Sequence, residues 1–140
     1  MQRIVLDTNC LVMAISSRGA YFNVWQSFLD GDYTLCVSNE IIEEYLEVLA
    51  RNINRRVAEA IVYAILSREN ICKLAPHYHF RLIKADEDDN KFVDCAIAGN
   101  AKYIVTEDHH FAILKQVAFP SVAVIGIDAF LKELEDAGRK

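Results

Sequence analysis

Arg3-Ile4-Val5-Leu6-Asp7 is the stretch on which the reading of this chain turns. It is a short apolar run, β-branched at its centre, that stops at a carboxylate. Such a run reads as a strand buried on both faces, with a polar residue at its carboxyl end. Similar runs return at Thr34-Leu-Cys-Val37, at Ile71 to Leu74, at Lys102-Tyr-Ile-Val-Thr106 and at Ser121-Val-Ala-Val-Ile125.

The segments between these runs have helical spacing. After Asp7 the chain is read as passing to a loop at Ser16-Ser-Arg-Gly19. Tyr21 to Leu29 then places Phe22, Trp25, Phe28 and Leu29 on one side, and Gly31-Asp32 stops it. Ser38 is a candidate N-cap for a helix whose apolar face is Ile41, Ile42, Tyr45, Leu46, Val48 and Leu49. Asn54 to Leu66 is a further helix, expected to bury Val57, Ala60, Ile61, Ala64 and Ile65. Asp86-Glu-Asp-Asp-Asn90 is a carboxylate-rich start to a helix that runs to about Ala98, where Gly99-Asn100 ends it. A short helix at His110 to Gln116 and a closing helix from Ile127 complete the alternation. The pattern predicts an α/β fold with a five-stranded parallel sheet between helices, a three-layer α/β/α sandwich formed as one domain over residues 1–140.

Composition narrows the function classes. The 140 residues carry 15 Lys and Arg against 20 Asp and Glu, a formal net charge of −5. An acidic chain is a poor nonspecific ligand for nucleic acid, since phosphate contacts need Lys and Arg. That objection weakens if the excess carboxylates gather around divalent cations, which reverse the local field. No run of ~18 apolar residues occurs, so no membrane helix is expected. Arg3 and Asp7 interrupt the place where a signal peptide needs its apolar core, which points to the cytoplasm. The four cysteines, Cys10, Cys36, Cys72 and Cys95, form no C-x-x-C pair and read as core thiols. His77-Tyr-His79 has no flanking Cys or Asp cluster and reads as a surface loop.

The acidic residues carry the chemistry. In open parallel sheets, ligands bind beyond the carboxyl ends of the strands where the strand order reverses. Asp7 closes the first strand, and Asp108 follows the fourth by two residues. If those strands are neighbours, the two carboxylates converge. Among the acids of the helix after Ser38, Glu44 lies nearest the apolar arc, beside Ile41 and Val48. Asn90 and Asp94 are one turn apart and share a face. Asp94 interrupts the apolar run Phe92-Val-Asp-Cys-Ala-Ile97, and a carboxylate there is expensive to bury without a partner. Each residue alone has a plain alternative: Asp7 as a helix cap, Glu44 as a surface glutamate, Asp86 to Asp89 as a solvated helix start. Together they suit one or two divalent cations that activate water for phosphodiester hydrolysis. No Ser–His–Asp arrangement or Gly-rich phosphate loop competes.

The segments Ile4-Val-Leu-Asp-Thr-Asn9, Val37 to Leu49, Asp86 to Ala96 and Tyr103-Ile-Val-Thr-Glu-Asp108 resemble, in order and spacing, the PIN-domain family. The likeness is to the branch of toxins from bacterial toxin–antitoxin pairs. The resemblance implies a Mg²⁺- or Mn²⁺-dependent endoribonuclease. It implies a catalytic and metal-binding set of Asp7, Glu44, Asp94 and Asp108, with Asp94 taking the third place because Asn90 stands where many PIN proteins have aspartate. Asp89 and Asn90 are then helpers, and Thr8, Asn9 and Thr106 line the site. It also implies an antitoxin that covers the acidic groove, and a homodimer, for which Phe22, Trp25 and Tyr45 would give aromatic surface on the early helices. RNA would be held by local basic groups, the candidates being Arg18 in the loop after the first strand, Arg51, Arg55 and Arg56 on the second and third helices, and Lys91 near the site.

The other readings are weaker. A non-catalytic PIN-like scaffold for RNA or protein would not need the intact acidic set. A receiver-type domain would want an acidic pair on the first strand and a lysine after the last. A haloacid-dehalogenase-like phosphatase would want an aspartate where Asn9 stands.

Overall fold

A computed structural model describes residues 1–16 and 19–138. Five parallel strands form one sheet: β1 (Arg3–Leu6), β2 (Thr34–Val37), β3 (Ile71–Lys73), β4 (Tyr103–Val105) and β5 (Val124–Ile125). Their order is β3-β2-β1-β4-β5. Ile4 pairs with Leu35 on one side and with Tyr103 on the other, so β1 is the central strand. Ile4, Val5 and Leu6 are all buried. Successive side chains of a strand point to opposite faces, so both faces of the sheet are covered, and the continuous apolar run has its cause.

The helices are α1 (Thr8–Ile15), α2 (Phe22–Leu29), α3 (Asn39–Asn52), α4 (Arg55–Ser67), α5 (Asn90–Gly99) and α6 (Ile127–Gly138). Ser38 caps α3 by accepting from the Ile41 N–H at 3.3 Å, and Asn54 caps α4 through Val57 at 2.8 Å. Asn100, in the left-handed region at φ 50°, ends α5. Gly99 lies where a Cβ would come within 2.7 Å of Leu74 and 3.1 Å of the Cys36 sulfur, which lets α5 press onto β2 and β3.

Several local expectations are corrected. The segment after Asp7 is the helix α1, which buries Cys10, Leu11 and Ala14, and not a direct passage to a loop. The last strand is confined to Val124–Ile125. His109–Gln116 winds as a 3-10 helix, and a 3-10 turn at Glu87–Asp89 precedes α5. On α4 the inward line runs through Ala58 and Ile65, with Ile61 and Val62 half-buried, while Ala60 is exposed. The cause is that α4 packs on α3 and is rotated by about one residue from the line read off its periodicity. Tyr45 is fully buried and donates to the Leu6 carbonyl at 2.6 Å. Trp25 is buried and Phe22 half-buried, so these aromatics are core and no longer support a dimer surface.

Cys10, Cys36 and Cys95 are buried and Cys72 half-buried, all as free thiols. Burial pushes the Cys10 and Cys36 thiols up to about 12 and Cys95 higher still, so they stay protonated and unreactive. No helix among the described residues is long and apolar enough to cross a membrane.

Candidate active site

The strand order reverses at the β1/β4 pair, and the carboxyl ends of those two strands carry Asp7 and Asp108. Asp7 occupies the N-cap position of α1 but makes no capping hydrogen bond. Its Oδ2 accepts instead from the Thr106 hydroxyl at 2.6 Å, and the same hydroxyl accepts from the Asp108 N–H at 3.0 Å. Thr106 therefore ties the two strand ends together. Asp108 does act as a cap, accepting from the His110 N–H at 2.9 Å. Glu44 arrives from α3. One of its carboxylate oxygens accepts from the Thr8 hydroxyl, and the other pairs with Lys91 Nζ at 2.8 Å. Asp89, on the 3-10 turn before α5, is the remaining inward acid, its side chain 14% exposed.

The carboxylates strain one another. Burial raises the Asp7 carboxyl above its usual range, the Thr106 hydrogen bond opposes this, and Glu44 and Asp108 push it further up. Asp89 is raised to about 7, first by burial and then by Asp86, Asp108 and Asp7, with His110 opposing. Burial would lower the Lys91 ammonium, but its bonds to Asp88 and Glu44 hold it above its usual value. That cation serves Glu44 and leaves Asp7 and Asp89 uncompensated. Asp89 Oδ2 and His110 Nδ1 are buried without a hydrogen-bond partner, a costly state for polar atoms. Asp86, Asp89 and His110, and likewise Asp108, His109 and His110, come close enough to share one ion. The donor set, mostly carboxylate with open positions, fits a hard divalent cation.

Of the residues expected at the site, Asp7, Glu44 and Asp108 come together, with Thr8 and Thr106 as the hydroxyls that orient them. Asn9 is exposed on the first turn of α1. Asp94 is not brought to this group. It is 4% exposed and points across α5 into a cleft of about 330 Å³ lined by Ser38, His79, Arg81 and Lys91. There Asp94 Oδ1 accepts from the Phe80 N–H at 3.1 Å, and Oδ2 lies 3.2 Å from His79 Nδ1. The His79 loop, read as plain surface, thus supplies the partner that a buried carboxylate requires. Asn90 is committed too: its amide donates to the Ile83 carbonyl at 2.8 Å and accepts from the Ile83 N–H at 2.9 Å. Lys91 is 8% exposed, clasped between Glu44 and Asp88 and not free at the surface. Arg18 lies outside the described residues. Arg55 pairs with Glu59, and Arg51 with Glu47.

Asp89, a helper by its sequence pattern, and His110, to which that pattern gives no role, are the two residues that the structure adds to this group. The available signal was the position of Asp89 just ahead of α5, and a histidine two residues beyond Asp108.

The profile of the PIN domain matches residues 3–110. Among solved structures the chain is similar to VapBC2 from Rickettsia felis, bound to a DNA fragment from their promoter. That likeness has a TM-score of 0.62 at 20% identity and covers 89% of this chain and 98% of that one. It is similar to DNA-bound VapBC from Salmonella typhimurium, with a TM-score of 0.62, 16% identity, and 91% and 99% of the two chains covered. It is also similar to the PIN domain endonuclease Utp24, with a TM-score of 0.52, 18% identity, and coverage of 89% and 84%. No curated protein sequence matches significantly. A profile match over most of the length, on a five-stranded parallel sheet with acids at the β1/β4 switch point, means that the chain belongs to the PIN domain family.

Proposed function

We propose that this protein is a metal-dependent endoribonuclease and the toxin of a toxin–antitoxin pair, with Asp7, Asp89 and Asp108 as the metal-holding carboxylates and Glu44 beside them. The observation that carries the reading is an unpartnered Asp89 Oδ2 on a carboxyl that Asp108 and Asp7 push up, beside an Asp7 that Glu44 and Asp108 push up in turn. Asp89 takes the third place in preference to Asp94, because Asp94 already has the Phe80 N–H and His79 as partners. Likeness to the VapBC chains supports the toxin assignment, and likeness to an endonuclease supports the reaction class.

Bound at this group, Mg²⁺ or Mn²⁺ would supply the positive charge that lowers the pKa of a water and offsets charge on the phosphate. The chain's own residues set the geometry. Thr106 aims Asp7 and holds Asp108 in register with it. Thr8 and Lys91 fix both oxygens of Glu44, which keeps that carboxylate at the rim and gives an attacking water an acceptor to lean on. The nucleophile is water, with the Thr8 and Thr106 hydroxyls serving to hold Glu44 and Asp7, and the product would carry a 5′-phosphate. The antitoxin would cover the acid group.

Incubation of the purified chain with RNA and Mn²⁺ tests the reaction. Cleavage that stops in excess EDTA, and in Asp7→Asn, is the expected outcome; cleavage that persists in EDTA would refute it. The alternative reading, a non-catalytic scaffold, predicts no Mn²⁺ uptake in a titration. Growth arrest on expression in a bacterial host, absent with Asp7→Asn, tests the toxin role.

A further inference from the structure

The two unpartnered buried atoms of the described residues, Asp89 Oδ2 and His110 Nδ1, are 3.7 Å from each other. His110 Nδ1 is also 3.4 Å from Asp108 Oδ1. Both separations exceed the 2.7–2.9 Å typical of a charge-assisted N–H···O bond, so the imidazole is near the carboxylates without bonding either. A divalent ion with bonds of about 2.1–2.2 Å places its donor atoms from about 3.0 Å apart in adjacent positions to about 4.3 Å in opposite ones. Both distances fall in that window.

The ring is held in place from several sides. The backbone N–H of His110 donates to Asp108 Oδ1 at 2.9 Å, which fixes the residue at the base of the ring. One flank borders an apolar cavity with Leu82, Ile83 and Ile113. The His109 ring stands beside it, with centroids 4.4 Å apart. His109 is the other nitrogen at hand, but it is 89% exposed and 3.9 Å from Asp108; His110 is 31% exposed and faces inward.

We propose that His110 is a nitrogen ligand of the metal centre, binding through Nδ1 together with Asp89 and Asp86, and that it biases the site toward Mn²⁺ over Mg²⁺. The inference rests on the reading of the acid group as a metal site. Mg²⁺ keeps to oxygen donors and its own waters. An imidazole nitrogen shifts preference from that hard ion toward first-row transition ions. Binding through Nδ1 requires the ring proton to sit on Nε2, which leaves the nitrogen lone pair aimed into the acid group.

The probes are Mn²⁺ and Mg²⁺ alone, titrated calorimetrically into the chain, with pulsed electron paramagnetic resonance on the Mn²⁺-loaded protein. The expected result is a ¹⁴N coupling of directly bound nitrogen in the unaltered chain and in His109→Ala, and its loss in His110→Ala and His110→Gln. Mn²⁺ affinity should fall about 10-fold or more in the His110 variants, with Mg²⁺ affinity changed less than about threefold. Thermal unfolding of both variants checks that they fold, and the Gln variant preserves bulk at the ring's place. Bound Mn²⁺ without ¹⁴N coupling, a coupling that survives in His110→Ala, or equal weakening of both ions overturns the role of His110 and leaves the metal site standing. Failure of Mn²⁺ to bind the unaltered chain at all overturns the metal site and the His110 role together.

Discussion

Asp89 and Asp94 stand little more than one helical turn apart at the start of α5, both sheltered from solvent, yet they occupy opposite situations. Asp89 faces Asp7, Asp86 and Asp108, has an oxygen with no partner and is raised to about 7. Asp94 faces the Pro76–Arg81 loop and has the Phe80 N–H and His79 against its two oxygens. A satisfied carboxylate holds a loop in place; an unsatisfied one, among others of its kind, is poised to bind a cation. The contrast teaches that burial alone does not mark a functional acid, and that the state of its lone pairs does. Lys91 sits on the border between the two regions, lining the Asp94 cleft while pairing with Glu44.

The largest effects are expected on the acid side. Asp108→Asn should reduce Mn²⁺-dependent RNA cleavage by at least about 100-fold, since loss of a ligand should cost no less than loss of its support, with the circular dichroism spectrum unchanged. Cleavage within a few-fold of the unaltered chain would remove Asp108 from the site. Asp89→Asn should weaken Mn²⁺ binding by about 10–100-fold.

The same Asp89 variant sharpens the contrast through pH. The folded chain holds a proton on Asp89 up to about 7, whereas an unfolded aspartate releases it near 4. Between those values the folded state binds more protons, so the stability of the metal-free chain falls as pH rises across that window. Melting temperatures measured from pH 4.5 to 7.5 should show this decline, with a smaller slope in Asp89→Asn and a recovery at pH 7 on addition of Mn²⁺. A slope identical in the variant would mean that Asp89 does not face the other acids.

Lys91→Met tests the border. It removes the ammonium from between Glu44 and Asp88 and leaves a half-buried carboxylate facing Asp7. Breaking a buried pair costs several kcal/mol, and the partial exposure of Glu44 cuts this to about 1–2 kcal/mol. Chemical denaturation would measure it, and an unchanged midpoint would show that the pair contributes nothing. Asp94→Asn should have the smallest effect. It weakens one charge-assisted interaction with the His79 loop, by about 1 kcal/mol or roughly 3–5 °C in melting temperature, and leaves cleavage within about threefold. A gain in melting temperature together with lost cleavage would return Asp94 to the metal site.

Much of the fold is legible in the sequence. The apolar runs at 3–7, 34–37, 71–74 and 102–106 became the four longest strands because β-branched continuity has few other solutions in a chain of this size. Helix α1 is not marked in the sequence because Leu11-Val-Met-Ala-Ile15 is a continuous apolar run, buried or half-buried throughout, that shows no helical alternation, and because Asp7, which would announce a cap, sends its carboxylate to Thr106 instead. Ala60 faces solvent against its periodicity because an apolar pattern locates the buried arc only to within about one residue.

For the site, local pattern suffices to place acids at the ends of β1 and β4, to set Glu44 at the border of the apolar face of α3, and to require a partner for a buried Asp94. Those are matters of local pattern: strand length, helix phase and the cost of burying charge. Only the tertiary structure decided which acid meets which partner. His79 and Phe80 reach Asp94 through a loop without periodicity, and Thr106 reaches Asp7 from 99 residues away along the chain. The 3-10 turn at Glu87–Asp89 sets the direction of Asp89 before the helix begins. Local spacing tells which side of an element is buried; it carries no information on what the buried side faces, because that neighbour is brought by chain closure across the sheet.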